Sequence, residues 1–550
     1  MPSPATHLRA PLLWLLVPFM AGLTAARLWP PPGFGLMPLA LAATAAGLGA
    51  GWWALRPGRR AAILWALSLG FSSGLGGFVL LHIRQPTLHQ LESRPPREVT
   101  VTVRIRQAFP PAPTARSLAG LAEITATGEH DRELLGRPVY YSAIRKISVP
   151  PQRSGFYVIR GVIEPLPQTA ADAGFNDYLA NLGIHQRITR AHLIRETAPP
   201  GPFQAFCART QDRLEAVLRQ GLSEWPQAAS LYLAMLLGEK AVLSAEQENA
   251  FMRSGTFHIF SISGLHVGAI AFALHVTGGF LRLPRPVAAA GGLVVLWLYV
   301  QITGASAPAV RSFLMIAFLA AYQNFRLPGN ALAALVAAAL TTLLLDPLQL
   351  FSTGFQMSYS VVIALVAMAR PLGEKWLAAW RPFALLPRVS WRWYHHEIER
   401  RGRWVLGTLA ACWVAFLAST PSGIGYFELF SPGSLLANLV IIPLSGVAIW
   451  AGFVSMVAGL AGLLPLSALS NLVAALTIVV MDWLLRHGTG VPGMWFNAHY
   501  RAGWLAPVSL ILLTTVFLAG AAGRWAPRYG GFWPPAVAVA LLVILGVKFG

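Results

Sequence analysis

Apolar runs long enough to cross a bilayer alternate with short polar breaks along most of this chain, and one stretch between residues 95 and 195 keeps a different period. A spanning helix needs about 20 mostly apolar residues. Windows of that character lie at 11–29, 36–55 and 61–81, and then at 257–280, 287–302, 309–325, 331–345, 350–369, 405–418, 434–460, 466–485, 505–521 and 535–547. They predict a mainly α, polytopic membrane bundle of about twelve spans. The first window follows Arg9 as a signal peptide would, but it is long and no small-residue cleavage site follows it, so it is read as a span.

Between the third and fourth windows the period changes to two. In "REVTVTVRIRQAF", Val99, Val101, Val103 and Ile105 fall on one face and Thr100, Thr102, Arg104 and Arg106 on the other, the pattern of a half-buried strand with a basic outer face. Further strand-like runs at 120–127, 138–144, 155–163 and 184–194, with a short helical piece at 175–182, predict an inserted small all-β domain. An oligonucleotide-binding (OB-like) barrel fits, and strand count alone does not separate it from other small β folds. Residues 203–229 turn helical, with Phe206, Leu214, Val217, Leu218 and Leu222 spaced along one face. The predicted organisation is therefore N-terminal spans at 1–82, the β domain at 95–195, juxtamembrane amphipathic helices at 200–228 and a second membrane domain at 229–550.

Composition agrees with the windows: 55% of the residues are hydrophobic and 12% charged, more apolar sequence than one soluble core can use. Lys and Arg set the orientation. The loop "RPGRR" at 56–60 and the basic segment 370–403 are expected in the cytoplasm, which puts 82–226 outside, along with 303–308 and Asp346. Part of the net charge of +20 is this topology signal, and the excess on the β domain points to an anionic partner. Arg104, Arg106, Arg145, Lys146, Arg153, Arg160, Arg187 and Arg190 are mixed there with Phe109, Tyr140, Tyr141, Phe156 and Tyr157. Cations that track phosphates beside aromatic faces that stack bases are what a single strand requires; a structural cap with a basic surface is the alternative. Arg104, Arg106, Tyr140, Arg145, Lys146, Tyr157 and Arg187 are the candidate contacts. Cys207 and Cys412 define neither a disulfide framework nor a metal site.

The polar breaks within the apolar windows are the second set of candidates. "GTFHIFSISGLHVG" places His258, Ser261, Ser263, Gly264 and His266 inside a predicted span. Irregular backbone at membrane depth is tolerated only where protein or water satisfies it, although small residues also serve as a packing face. In "TGASAPAVRSFLM", Ser306 is placed to cap a helix whose first turn holds Pro308, with Arg311 just inside. An Arg beside an outward helix start makes an anion site; snorkelling to headgroups is the alternative. Gln356, Ser358 and Ser360, and Asn438 ahead of Pro443, add polar groups at depth. His258, Ser261, Ser263, Gly264, His266, Arg311, Gln356 and Asn438 are thus the candidate pore residues.

The runs "LGEK" (237–240), "SGTFHIFSISGLHVG", "TGASAPAVRSFLM", "DPLQLFSTGFQMSYS" and "SLLANLVIIPL", with "GFNDYLANLGI" before the last strand, resemble in order and character the ComEC competence-protein family, over about residues 30–500. The resemblance implies a channel, not an enzyme, that passes single-stranded DNA across the bacterial cytoplasmic membrane during natural transformation, without cofactor or metal. Such a path must be hydrated, since a hydrocarbon core of about 30 Å holds roughly nine phosphates of an extended strand. Implied partners are single-stranded DNA, membrane lipids, a DNA-delivery receptor outside and a cytoplasmic ATPase or single-strand-binding proteins inside, because no Gly-x-x-x-x-Gly-Lys-Ser/Thr loop is present. Relatives carry a metallo-β-lactamase-like domain whose His-x-His-x-Asp-His cluster is not found here, and "YHHEIER" (394–400) reads as a solvated helix, so no nuclease is expected. A small-molecule permease or a transferase acting on lipid-linked substrates would also use many spans, but neither predicts the basic, aromatic β domain.

Overall fold

The computed structural model describes residues 10–29, 35–84, 95–109, 117–144, 151–166, 173–238, 245–260, 262–325, 330–380, 382–383, 385–527 and 530–550. Three helices open the chain: α1 (Leu13–Leu28), α2 (Met37–Ala54) and α3 (Arg59–Arg84). The first and third cross so closely that a Cβ on Gly22 would overlap the Gly74 backbone, the close approach that small residues allow between membrane helices.

The strands follow as the alternation predicts: β1 (Arg97–Phe109), β2 (Ser117–Ala126), β3 (Pro138–Ile144), β4 (Phe156–Pro165) and β5 (Gln186–Ala198), with helix α4 (Ala173–Asn181) between the last two. They close into a barrel in the order β1-β2-β3-β5-β4, antiparallel except for the parallel pair of β3 with β5. Val99, Val101, Val103 and Ile105 are its core with Ile124, Val139, Tyr141, Ile159 and Ile188. Leu179 of α4 and Ile184 cover the outside of β2 and β3 at Leu121 and Tyr140.

The second helical part comprises α5 (Pro202–Arg219), α6 (Pro226–Leu237), α7 (Ala245–Arg253), α8 (Gly264–Phe280), α9 (Arg285–Ile302), α10 (Ala307–Asn324), α11 (Ala331–Leu345), α12 (Thr353–Ala379), α13 (Trp393–Phe427), α14 (Ser434–Leu460), α15 (Leu464–Thr489), α16 (Leu505–Ala522) and α17 (Pro534–Gly546). Strands β6 (Leu429–Phe430), β7 (Phe496–Tyr500) and β8 (Val547–Phe549) form a small sheet. Among the described residues, seven helices are long and apolar enough to cross a membrane, and five further apolar helices have 10–17 residues. Every sequence window falls on a helix, but α2 and α10 are in neither group, because glycines and tryptophans dilute one and Arg311, Gln323 and Asn324 the other. Helix α6 was not among the windows: its 12 residues are too few to span, and nine of them are buried. Tyr232 of α6 donates to Asn471 at 3.2 Å, Tyr299 donates to the Leu236 carbonyl at 2.7 Å, and Asn471 donates to the Val217 and Gln220 carbonyls. Helix α6 is therefore the pillar around which α5, α9 and α15 are tied.

Two contacts place the barrel on the bundle. A Cβ on Gly304, in the turn from α9 to α10, would lie 3.9 Å from Nη1 of Arg153 in the loop before β4, and α4 touches the turn Pro347–Phe351 before α12. The barrel thus sits over the starts of α10 and α12. The other end of α12 lies at the basic segment before and within the start of α13, where Trp380 packs on Gly402; with 27 residues, α12 separates this end from the barrel by about 40 Å.

Candidate functional site

The break anticipated near residue 260 is present. Helix α7 ends at Arg253, a 3-10 turn covers Phe257–Phe260, and α8 begins only at Gly264. Ser263 is its N-cap, and the Ser263 N–H donates to Nδ1 of His266 at 3.3 Å. A ring nitrogen that accepts an N–H leaves the proton on the other nitrogen. Nε2 of His266 is thus a donor, and it is buried without a partner. Gly264 is where α8 meets α10, since a Cβ there would come within 3.2 Å of the Ser312 hydroxyl. His258 lies beside His266 and bonds to the Gly255 backbone. Gly255, with φ of +68°, packs on Ser434 of α14, one turn from Asn438. Ser261 lies outside the described residues.

Arg311 is 2% exposed, so it does not snorkel. Its Nη2 donates to the Gly354 carbonyl at 2.8 Å, fastening the first turn of α12, while Nε has no partner. Ser306 occupies the N-cap of α10 as expected but makes no side-chain cap, and its hydroxyl is also buried without a partner. This departs from the sequence expectation and leaves the start of α10 open. Gln356 is engaged at both ends: Nε2 donates to the Leu350 carbonyl at 3.1 Å and Oε1 accepts from the Tyr426 hydroxyl. It ties α12 to α13. Asn438 is the reverse case, with a buried Oδ1 that accepts nothing.

A polar belt therefore runs from Asn438 on α14 through Gly255 and His258, to His266 and Ser263 on α8, to Arg311 on α10 and to Gly354 and Gln356 on α12. An unpaired buried polar group costs about 1–3 kcal/mol, more when charged. His266, Ser306, Arg311 and Asn438 all carry such atoms along this belt. Ordered water or a hydrogen-bonding guest would satisfy such groups.

On the barrel, burial and pairing revise the sequence reading. Arg104 and Arg106 both pair with Glu123, at 2.9 and 3.1 Å; although burial opposes ionisation, the two guanidiniums hold the Glu123 carboxyl below its ordinary range. Arg187 pairs with Glu164 at 2.7 Å, and Arg160 keeps the Glu98 carboxyl low in the same way. Tyr140 is outward but packs beside Phe109 and edge-on to Phe175 of α4. Tyr157 is a correction: it is 7% exposed, its ring is part of the barrel core, and its hydroxyl accepts from the Gln152 N–H at 3.1 Å. It cannot stack on a base outside the barrel. Arg145 and Lys146 lie outside the described residues. Gly354, through its carbonyl, and Tyr426, through its hydroxyl, join the site without a strong sequence signal, and Arg153, one of the barrel cations, joins it from the loop before β4. No group of three or more metal-binding side chains occurs among the described residues.

Comparison with known proteins gives the family. Residues 235–523 match the family described as Competence protein, a segment that holds every candidate pore residue. ComE operon protein 3 of Bacillus subtilis is 27% identical over 35% of this chain and 24% of its own length. Competence protein ComA of Neisseria gonorrhoeae is 32% identical over 40% of this chain and 29% of its own length. Uncharacterized protein YcaI of Escherichia coli is 26% identical over 61% of this chain and 42% of its own length. The chain thus spans less than half the length of these relatives, and no solved structure matches it. With more than half of its residues matched to one family, this chain belongs to the competence protein family.

Proposed function

We propose that this protein passes a single DNA strand across the bacterial cytoplasmic membrane during natural transformation. The observation that carries the reading is the belt of buried, unpartnered polar groups on α8, α10 and α14, which lies inside the competence-family segment. A polyanion crossing a bilayer needs donors that replace water, and His266 Nε2 and Arg311 Nε supply two with no internal acceptor. The five-stranded closed barrel, with the parallel β3 and β5 pair, supports an oligonucleotide-binding type of domain. Surface cations of the barrel, among them Arg153, which pairs with no carboxylate among the described residues, receive the strand by backbone charge, so no sequence preference is expected.

The barrel is assigned to the outside of the membrane and the basic segment at 370–403 to the cytoplasm. In support, they occupy opposite ends of α12, and a segment rich in Arg belongs inside. A cysteine placed at Ser117 should react with an impermeant thiol reagent applied from outside, and one placed at Trp391 should not. The reverse pattern would invert the proposed path.

The function is tested by following labelled DNA in a strain that lacks this protein. DNA should become nuclease-resistant outside the cytoplasmic membrane yet fail to reach the cytoplasm, and the parental gene should restore its arrival. Normal arrival in the deletion strain would remove the reading.

A further inference from the structure

We propose that Arg153 of the barrel loop and the open start of α10 form one shared seat for a strand phosphate, at the seam between barrel and bundle. The inference rests on the transport reading and adds where the strand passes from one part to the other.

The first turn of a helix presents N–H groups with no intrahelical acceptor, and a cap normally satisfies one of them. At α12 the cap is made: the Phe355 N–H donates to the Ser352 hydroxyl oxygen at 3.2 Å. At α10 it is not: Ser306 stands at the N-cap without a side-chain bond, Pro308 has no N–H to give, and the Ser306 hydroxyl is left over as well. The positive end of an 18-residue helix is therefore unanswered. Arg311, 2% exposed, stands within the same helix, and helix side chains lean toward the N-terminus. Its guanidinium, held at the Gly354 carbonyl with Nε unpartnered, adds positive charge on the fifth residue of that helix.

The front of the seat comes from the barrel. Arg153 reaches across the seam to Gly304, where a Cβ would lie 3.9 Å from Nη1. It pairs with no carboxylate among the described residues, whereas Arg97, Arg104, Arg106, Arg160 and Arg187 are each committed to an acid. Gly304 has φ of +93° and Ala305 φ of +47°, so a left-handed bend at the exposed Gly304, beside the guanidinium, leads into the exposed Ala307 that starts α10. An uncapped helix start, an uncommitted Arg in front and a buried Arg on the same helix are the parts of a phosphate site. Because one half is barrel and the other bundle, a bound phosphate also holds the two together.

The test uses the full chain in phosphatidylcholine nanodiscs with a fluorescent 15-nucleotide oligo-dT, titrated at several salt concentrations. Each phosphate neutralised on a single strand contributes about 0.7 to the slope of log affinity against log salt. The Arg153→Gln variant should lose about that one increment and bind about 10-fold more weakly at low salt, and Arg153→Lys should recover the slope. Arg153→Gln combined with Arg311→Lys should cost less than the two changes separately, as expected for groups that share one phosphate. An unchanged slope in Arg153→Gln, with normal binding by the parent, would overturn the seat and leave the transport reading standing. No binding by the parent would remove both. If anionic phosphatidylglycerol added to the discs weakens the parent to the level of Arg153→Gln, the seat belongs to a lipid headgroup and the proposal is wrong.

Discussion

Replacing Arg311 with leucine is expected to cut DNA import roughly 100-fold while the protein still inserts and accumulates. On the insertion scale a central Arg is unfavourable by about 2.5–3.5 kcal/mol and a Leu favourable by about 0.5, so the change relieves insertion. What it removes is the charge beside the open start of α10 and the bond to the Gly354 carbonyl. A hydrogen bond to a charged group is worth about 1.5–3 kcal/mol, so import should fall by roughly 100-fold. Lysine keeps the charge but not the planar fork that both grips a phosphate and holds Gly354, so Arg311→Lys should retain about a tenth of parental import. The measurement is transformation frequency normalised to the amount of membrane-inserted protein. A leucine variant that accumulates normally and imports DNA at the parental rate would remove Arg311 from the path.

The second large effect concerns stability. Tyr157→Ala empties an aromatic position in a closed barrel, where such truncations cost about 3–5 kcal/mol. For a domain near 100 residues that lowers the melting temperature by roughly 15–25 °C, and it should abolish strand binding by unfolding the barrel. Tyr157→Phe gives up only the bond from the Gln152 N–H, about 1 kcal/mol, and should bind single-stranded DNA like the parent. Thermal unfolding of the barrel beside a binding titration checks both. If Tyr157→Phe folded normally and lost binding, the hydroxyl would have to face the strand after all.

These expectations show what was legible in the chain. The barrel could be read because alternation is a local signal: Val99, Val101, Val103 and Ile105 announce an inner face whatever their partners are. The same rule already held the answer for Tyr157, which shares its parity with Ile159 and Ile163, both inside the barrel. Residue type suggested stacking, and position decided otherwise. The pairing of Arg104 and Arg106 with Glu123 was not legible, since it depends on which residues of β2 lie opposite β1. The packing of Tyr140 under α4 depends on a return of the chain some 35 residues later. In the bundle, the helix break at His258 to Gly264 was legible from small and polar residues in an apolar run. Helix α6 was not, because 12 residues fall below any spanning window although neighbours bury nine of them. The unmade cap at Ser306 was equally hidden: serine is the right residue type, and only the geometry leaves its hydroxyl without a partner.

The central claim is that a single strand crosses the membrane along the belt that begins at α10. A photo-reactive amino acid can be placed at the exposed Ala307, at the start of that helix, and in a control at Ile544, which is 68% exposed on α17. Illumination during uptake of labelled DNA should join Ala307, and not Ile544, to DNA that a single-strand-specific nuclease digests. Capture of duplex DNA at Ala307, or DNA arriving in the cytoplasm with no capture there, would contradict the account.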